Sequence, residues 1–166
     1  MAEYQYVEHE FAPVYNEKSK VLVLGSLPSV KSREQGFYYG HPRNRFWKVV
    51  AAVLGVPVPL TIDEKKQMLL SGHVAVYDVI RNCEIVGSSD SSIRNVIPAD
   101  IKSIVEYAPI RAVFTNGKTA GRLYKKYQLE HIELPMIELP STSPANAAFS
   151  LERLEAIWKS EIGKYL

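Results

Sequence analysis

Short apolar runs alternate along the chain with longer segments in which apolar residues recur at helical spacing. The runs are rich in β-branched residues and are typical of strands buried on both faces of a parallel sheet. Strands are predicted at residues 20–24, 73–77, 111–115 and 136–139. Helices are predicted at residues 45–54, 61–70, 98–107, 118–127 and 147–166. This alternation predicts the α/β class, with right-handed crossovers and helices on both faces of the sheet.

The ends of several helices carry recognisable signals. Thr61 and Glu64 have the spacing of a capping box, and Pro98 suits the first turn of the following helix. Sites in such folds form in the loops at the carboxyl ends of the strands. These loops are predicted at residues 25–44, 78–95, 116–119 and 140–146. The first two are long, which indicates a functional role, and residues 87–92 are polar enough to form a mobile surface loop.

Composition and charge limit the class of protein. The chain has 166 residues, 46% of them hydrophobic, which predicts a single domain over residues 1–166. A net charge of +2 argues against a protein that coats nucleic acid, so any such contact is expected to be a local patch. The single cysteine, Cys83, fits a reducing compartment. Without a signal peptide or an apolar run of membrane length, we expect a soluble, cytoplasmic protein.

The segment 37–47 holds the most unusual mixture of side chains. It contains five aromatic residues, two arginines, a histidine and an asparagine. Such a mixture can stack on a base, pair with phosphate and present hydrogen-bonding groups together. Asn44 either caps the following helix or orients a water through its carbonyl oxygen, while Arg43 or Arg45 binds phosphate. Phe46 and Trp47 are expected in the core.

Polar residues follow the first two predicted strands. Gly25-Ser26-Leu27-Pro28-Ser29 is either an ordinary turn or a place where exposed amides hold an anion or a water. Asp78, Arg81 and Asn82 follow the second strand. Asp78 either caps a turn or reads the edge of a substrate by accepting hydrogen bonds.

The last two strands are also followed by polar motifs. Asn116-Gly117-Lys118-Thr119 suggests a phosphate loop, but Ala112 stands where such a loop needs glycine, so we reject nucleotide triphosphate hydrolysis. The alternative is a simple helix start, with Lys118 touching phosphate. The segment 140–146 has hydroxyls that can grip a DNA phosphate, or it caps the last helix through Ser143 or Asn146.

Metal and nucleophile chemistry are not indicated. The four histidines are scattered without paired spacing, and no glycine pattern of a nucleophile elbow surrounds any serine. No metal ligands are therefore predicted.

Three motifs in combination resemble one family. They are Gly25-Ser26-Leu27-Pro28-Ser29, the sequence Tyr-Gly-His-Pro-Arg-Asn-Arg-Phe-Trp at 39–47, and Pro-Ser-Thr-Ser-Pro-Ala-Asn at 140–146. Together they resemble the uracil-DNA glycosylase superfamily, most strongly its hypoxanthine-DNA glycosylase (deoxyinosine glycosylase) branch. The Asn-Arg-Phe-Trp part also resembles the mismatch-specific uracil/thymine glycosylases. The likeness extends from about residue 20 to the final helix.

The resemblance implies a three-layer α/β/α sandwich on a four-stranded parallel sheet, and base flipping without a metal or organic cofactor. In other branches an aspartate or asparagine in the first motif handles the attacking water, but Ser26-Leu27-Pro28-Ser29 stands there. In the hypoxanthine branch that duty shifts to the asparagine of the second motif, which is Asn44. Ser141 replaces the histidine of classical uracil enzymes. Ala145 replaces their bulky wedge, which makes Phe149 the candidate for insertion into the duplex.

The hypothesis is a monofunctional glycosylase that releases hypoxanthine from damaged DNA in base excision repair and acts as a monomer without a cofactor. The candidate catalytic residues are Asn44, Ser26 and His41. The candidate base-binding residues are Tyr38, Tyr39, Asp78 and Asn116. The candidate DNA-binding residues are Arg43, Arg45, Lys118, Ser141, Ser143 and Asn146. A uracil/thymine mismatch glycosylase and a non-catalytic DNA-binding module of the same fold remain as alternatives.

Overall fold

The computed structural model describes residues 3–166, and a four-stranded parallel sheet lies at its centre. The strands in chain order are β1 (Gln5–Glu8), β2 (Val21–Gly25), β3 (Val74–Asp78), β4 (Ile80–Ile85), β5 (Arg94–Pro98), β6 (Ala112–Asn116) and β7 (Met136–Leu139). The helices are α1 (Val30–Gln35), α2 (Phe46–Leu54), α3 (Ile62–Ser71), α4 (Ile101–Tyr107), α5 (Lys118–Tyr127) and α6 (Leu151–Gly163). The central sheet has the order β3-β2-β6-β7, and all four predicted strands are present within one residue of their expected bounds.

Alternate residues of β2 face two separate hydrophobic cores. Val21 and Val23 pack into one core with residues of α2, α3 and α6, whereas Leu22 and Leu24 pack into the other with residues of α4 and α5. All four side chains are fully buried. A strand buried on both faces explains the continuous apolar run in the sequence. The predicted three-layer α/β/α arrangement is confirmed.

A second sheet was not predicted. Strands β1, β4 and β5 form an antiparallel sheet in the order β1-β4-β5, and β4 and the first two residues of β5 occupy the segment 78–95 that was expected to be a loop. Only Val7 of β1 is buried, so this strand lacks the apolar alternation that sequence reasoning relies on. The sheet continues directly from β3, with a single residue between Asp78 and Ile80.

One helix was not predicted, and two others start later than expected. The loop 25–44 contains the short helix α1. Pro98 ends β5 instead of opening α4, which is capped by Asp100 through a bond from the Ser103 amide. Helix α6 begins after Ser150, whose side chain accepts from the Arg153 amide, so the expected start at residue 147 was wrong. The capping box of α3 at Thr61 and Glu64 is confirmed.

The single cysteine, Cys83, is a buried free thiol. None of the helices in this range is both long enough and apolar enough to span a bilayer.

Candidate active site

A cleft of about 770 Å³ opens at the carboxyl ends of the central strands. Gly25 at the end of β2 lies in register with Asp78 at the end of β3, and Asn116 ends the neighbouring strand β6. The loop after β7 and the start of α2 close the remaining sides. The predicted site residues that line the cleft are Ser26, Tyr38, Tyr39, Asn44, Asp78, Asn116, Lys118, Ser141, Ser143 and Asn146.

Thr142 joins two walls of the cleft and was not among the predicted residues. Its hydroxyl donates to Oδ1 of Asn44 at 2.8 Å and accepts from Nδ2 of Asn116 at 3.0 Å. Its amide donates to Oδ1 of Asn116 at 3.0 Å. The side chain is fully buried, so these bonds are not in competition with water. The network ties α2, β6 and the loop after β7 into one rigid wall.

This network fixes the orientation of the Asn44 amide. Oδ1 accepts from the Phe46 amide at 2.9 Å as well as from Thr142, which occupies both lone pairs of the oxygen. Because both partners are donors, the other end of the side chain is the NH2 group, and it has no hydrogen-bond partner among residues 3–166. Of the two alternatives for the carbonyl oxygen, the structure shows the helix cap, because Oδ1 accepts from the first amide of α2. Asn44 therefore offers the cleft a donor.

Arg45 holds the loop after β7 in place. Its guanidinium donates to the carbonyl oxygens of Thr142 (3.4 Å), Ser143 (2.8 Å), Asn146 (3.0 Å) and Phe149. Four of the five N–H groups of an arginine are thus directed to backbone carbonyls. This geometry favours a positioning role over the phosphate contact expected from the sequence.

A carboxylate and a phenol lie side by side at the floor of the cleft. A Cβ atom added to Gly25 would overlap Oδ1 of Asp78 and lie 3.0 Å from the hydroxyl oxygen of Tyr39. Neither of these two oxygens has a hydrogen-bond partner among residues 3–166, and the Tyr39 hydroxyl is buried. Glycine is required here because any side chain would displace one of the two groups. The floor therefore presents an acceptor next to a donor.

Tyr39 is held in an unusual backbone conformation. Its φ angle is 51°, in the left-handed region that a residue with a Cβ rarely adopts. Its ring stacks on Phe46 with centroids 3.9 Å apart, which covers one face. Burial, and after it the negative charge of Asp78, raises the pKa of the Tyr39 phenol well above its usual range. The hydroxyl is therefore neutral and able to donate.

Asp78 is paired with a histidine that sequence reasoning did not assign. Nε2 of His9 lies 2.7 Å from Oδ2 of Asp78, and the two side chains are 0% and 4% exposed. His9 follows β1, which belongs to the unpredicted second sheet. No local motif marks it, because its partner lies 69 residues away.

The structure places three predicted residues differently. His41 and Arg43 do not line the cleft, and Nδ1 of His41 accepts from the Arg43 amide within a local turn. Tyr38 is only 2% exposed, and its hydroxyl donates to the Ala12 carbonyl at 3.0 Å. We therefore assign His41 and Tyr38 to local structure and the core, and leave Arg43 as an exposed cation near the cleft.

The loop after β7 is braced by its own side chains. The hydroxyl oxygen of Ser141 accepts from the Ser143 amide at 3.1 Å, and that of Ser143 accepts from the Ala145 amide at 3.2 Å. Asn146 donates from Nδ2 to the Ser141 carbonyl at 3.0 Å. The caps predicted for α6 therefore stabilise this loop instead. Each hydroxyl keeps its hydrogen for a group that enters the cleft.

The two residues at the expected wedge positions, Ala145 and Phe149, line the cleft. Ala145 is exposed at the rim, and the ring of Phe149 lies partly buried beneath the Arg153 guanidinium, 4.4 Å from its centroid. Within residues 3–166, His, Cys, Asp and Glu side chains do not converge in groups of three that could hold a metal ion.

The comparison with protein families decides the class of enzyme. A model of the uracil DNA glycosylase superfamily matches residues 12–160. The chain belongs to the uracil DNA glycosylase superfamily. It is a DNA glycosylase, and the cleft that holds Asn44 is its candidate active site.

Individual relatives agree with this assignment. A hypoxanthine DNA glycosylase from Methanosarcina acetivorans is 31% identical over 156 residues, covering 93% of this chain and 97% of the relative. A hypoxanthine DNA glycosylase from Methanosarcina barkeri is 29% identical over 113 residues, covering 67% and 72%. The solution NMR structure of a candidate uracil DNA glycosylase from Methanosarcina acetivorans superposes with a TM-score of 0.77 at 32% identity, covering 90% of this chain and 95% of that one.

Proposed function

We propose that this glycosylase removes hypoxanthine from deoxyinosine in damaged DNA, as a step of base excision repair. The proposal is carried by the acceptor and donor that lie side by side at the floor of the cleft, Oδ1 of Asp78 and the hydroxyl of Tyr39. The names of the Methanosarcina relatives support the same substrate.

The reading of the base follows from this pair. Hypoxanthine presents a ring N–H next to a carbonyl oxygen, so the Asp78 carboxylate accepts from N1–H and Tyr39 donates to O6. Adenine presents the reverse pattern, a bare ring nitrogen next to an amino group. It would leave both buried protein groups unpaired, a mismatch that can lower the specificity constant by about 10⁴-fold. The floor thus favours a deaminated base over its undamaged parent.

Access to this floor requires the nucleotide to leave the duplex. Flipping costs a few kcal/mol and is cheapest for a mispaired base such as inosine opposite thymine. Lys118 is exposed at the rim, and Ser141 and Ser143 line the cleft with hydroxyls that donate to no group among residues 3–166. These groups are suited to the phosphates next to the flipped nucleotide. Arg45 contributes indirectly by holding the loop that carries the two serines.

Hydrolysis then breaks the bond between C1′ of the sugar and the base. The base leaves with the bonding electron pair, water adds its oxygen to C1′, and the water's proton is released. Donors directed at the developing negative charge stabilise the transition state in a site that excludes water. The NH2 group of Asn44, oriented by Thr142, is such a donor to the leaving base. Ser26 also lines the cleft.

The test is base release from synthetic duplexes that contain inosine, uracil, adenine or cytosine at one position. The reaction is run under single-turnover conditions, and alkali then cleaves the strand at each abasic site so that the product can be quantified. We expect release from inosine and none from adenine or cytosine. Release of uracil alone would show that uracil, and not hypoxanthine, is the substrate. DNA binding without release of any base would identify a non-catalytic module.

A uracil or thymine mismatch glycosylase is the second candidate. Uracil also carries a ring N–H next to a carbonyl oxygen, so the pair formed by Asp78 and Tyr39 accepts either base edge. A cleft of about 770 Å³ has room for the larger bicyclic base. The ratio of inosine to uracil rates in the same assay separates the two candidates.

A further inference from the structure

The buried pair of His9 and Asp78 is not accounted for by the family match. That match begins at residue 12, so His9 lies before it. Its position results from pairing between strands. Glu8 at the end of β1 pairs with Asn82 in β4, and the His9 amide donates to the Arg81 carbonyl at 2.7 Å. The antiparallel sheet thus carries His9 under the end of β3, where Asp78 lies.

The surroundings of His9 fix its hydrogen-bonding role. The ring is enclosed by Phe11, Tyr38 and Tyr77, with centroids at 4.8, 5.7 and 4.8 Å. Nδ1 is buried and has no partner among residues 3–166. A hydrogen on Nδ1 would therefore be unsatisfied, whereas one on Nε2 is accepted by Asp78. The environment therefore accommodates the tautomer that carries its hydrogen on Nε2.

The bond from His9 determines which oxygen of Asp78 reaches the cleft. Oδ2 is occupied by Nε2, which leaves Oδ1 beside Gly25 at the floor. Asp78 is 3% exposed, and a buried carboxylate without a donor is strongly disfavoured. If His9 could not donate, the Tyr39 hydroxyl, which also lies beside Gly25 and has no partner among residues 3–166, would be a donor available to Asp78. A bond between Asp78 and Tyr39 would then consume both groups that read the base.

We propose that His9 is a positioning residue that aims Oδ1 of Asp78 at the ring N–H of the flipped base, and so makes the segment before the family match part of the active site. The inference rests on the proposed function, because it assigns Asp78 the reading of the base. It also gives the second sheet a function, since this sheet delivers His9 to the cleft.

The test is a double-mutant cycle on the single-turnover rate of inosine release. His9→Phe keeps a ring of similar size and removes the donor, and we expect a loss of at least 10-fold. In an Asp78→Asn background the same substitution is expected to change the rate less than threefold, because the carboxylate it positions is already absent. His9→Gln, which retains an N–H donor, is expected to recover most of the activity. His131→Phe is the matched control at an exposed histidine.

Each outcome bears on the proposal. Full activity of His9→Phe, or equal losses in both backgrounds, would overturn the positioning role while the glycosylase assignment stands. Absence of base release by the unmodified protein would overturn both. The nitrogen-15 spectrum of the imidazoles gives a readout that does not depend on a variant folding. A protonated Nε2 is expected for His9, and an unprotonated Nε2 contradicts the proposal.

Discussion

The hydroxyl of Thr142 donates a 2.8 Å hydrogen bond to Oδ1 of Asn44, linking two residues that are 98 positions apart. Through the same hydroxyl Thr142 accepts from Asn116. The amide of Asn44 therefore cannot rotate without breaking a buried network. The bond from Thr142 therefore fixes the NH2 group of Asn44 as the donor that this residue offers to the cleft.

Removing the Thr142 hydroxyl is expected to slow base release. Thr142→Val keeps the shape of the side chain but leaves Oδ1 of Asn44 and Nδ2 of Asn116 each without one partner. We expect at least a 10-fold lower single-turnover rate and a loss of about 1–3 kcal/mol in the free energy of unfolding, measured with urea. Thr142→Ser retains the hydroxyl and is the control. Equal rates for the valine and serine variants would show that the network does not position Asn44.

Replacing Asn44 itself is expected to affect chemistry more than binding. Asn44→Ala removes the donor, and we expect a loss of at least about 2 kcal/mol of transition-state stabilisation. Affinity for an inosine duplex, measured by fluorescence anisotropy, is expected to stay within about threefold of the original. A variant that releases the base at an unchanged rate would exclude Asn44 from catalysis.

The floor of the cleft is expected to be intolerant of a single methyl group. Gly25→Ala would place a Cβ on Oδ1 of Asp78 and against the Tyr39 hydroxyl. We expect inosine release to fall at least 10-fold and stability to fall by about 1–3 kcal/mol, since the added methyl group must displace one of these two side chains. Gly163→Ala is the matched control, because a Cβ there meets nothing within 4 Å. Comparable activity of the two variants would contradict the proposed floor.

Arg45 is expected to act on stability through the loop after β7. Arg45→Lys keeps the positive charge but cannot direct a planar fork at several carbonyls. We expect a loss of at least about 2 kcal/mol in the free energy of unfolding, together with slower base release. Arg43→Lys, at an exposed neighbour, is expected to leave stability within about 0.5 kcal/mol. If both variants are equally stable, the carbonyl contacts of Arg45 contribute little.

Buried tyrosines are expected to make the protein sensitive to alkaline pH. Burial raises the pKa of Tyr124 to about 12, and burial together with Asp78 raises those of Tyr38 and Tyr39 further. Below about pH 10 these phenols are neutral in both states. Above it the unfolded chain loses protons that the folded chain keeps, so stability falls by about 1.4 kcal/mol per pH unit for each tyrosine.

The contribution of one tyrosine can be isolated. Tyr124→Phe is expected to reduce the slope of unfolding free energy against pH by about 1.4 kcal/mol per unit between pH 10 and 12. Urea titrations at several pH values measure the slope. Absorbance of phenolate in the folded protein provides an independent check, because the buried tyrosines should titrate only on unfolding. Identical slopes with and without Tyr124 would contradict the expected shift.

The central sheet was predictable because its signal is local. Runs such as 20–24 are apolar at consecutive positions, which is what a strand needs when both of its faces are covered. The second sheet lacked such a signal, since β1 buries only Val7 and the alternation of β4 is broken by two successive polar residues, Arg81 and Asn82. Its existence depends on pairing between β1 and β4, which are far apart in the sequence. Pairing at that distance leaves no periodic trace in either strand.

In the candidate site, too, some residues could be predicted from local sequence signals and others depended on distant contacts. Asp78 and Asn116 were selected because polar residues at the ends of parallel strands meet at one edge of a sheet. Asn44 and Tyr39 were selected from the mixture of side chains in segment 37–47 and its likeness to a family motif. Thr142 was not predicted, because nothing in the sequence distinguishes its buried hydroxyl from the half-buried hydroxyls of the two neighbouring serines. Arg45 was assigned to phosphate because its side chain has the right charge. Its position beside the loop after β7 gave the guanidinium different partners.

The sequence by itself determined the α/β class, the four strands of the central sheet, the residues at their carboxyl ends and the likeness to a glycosylase family. These follow from local periodicity and from motifs that lie within a few residues of one another. Only the tertiary structure decided that Asn44 presents its NH2 group, that Arg45 supports a loop and that His9 reaches Asp78. The direction of a hydrogen bond depends on which distant groups are buried together, and that is a property of the folded chain.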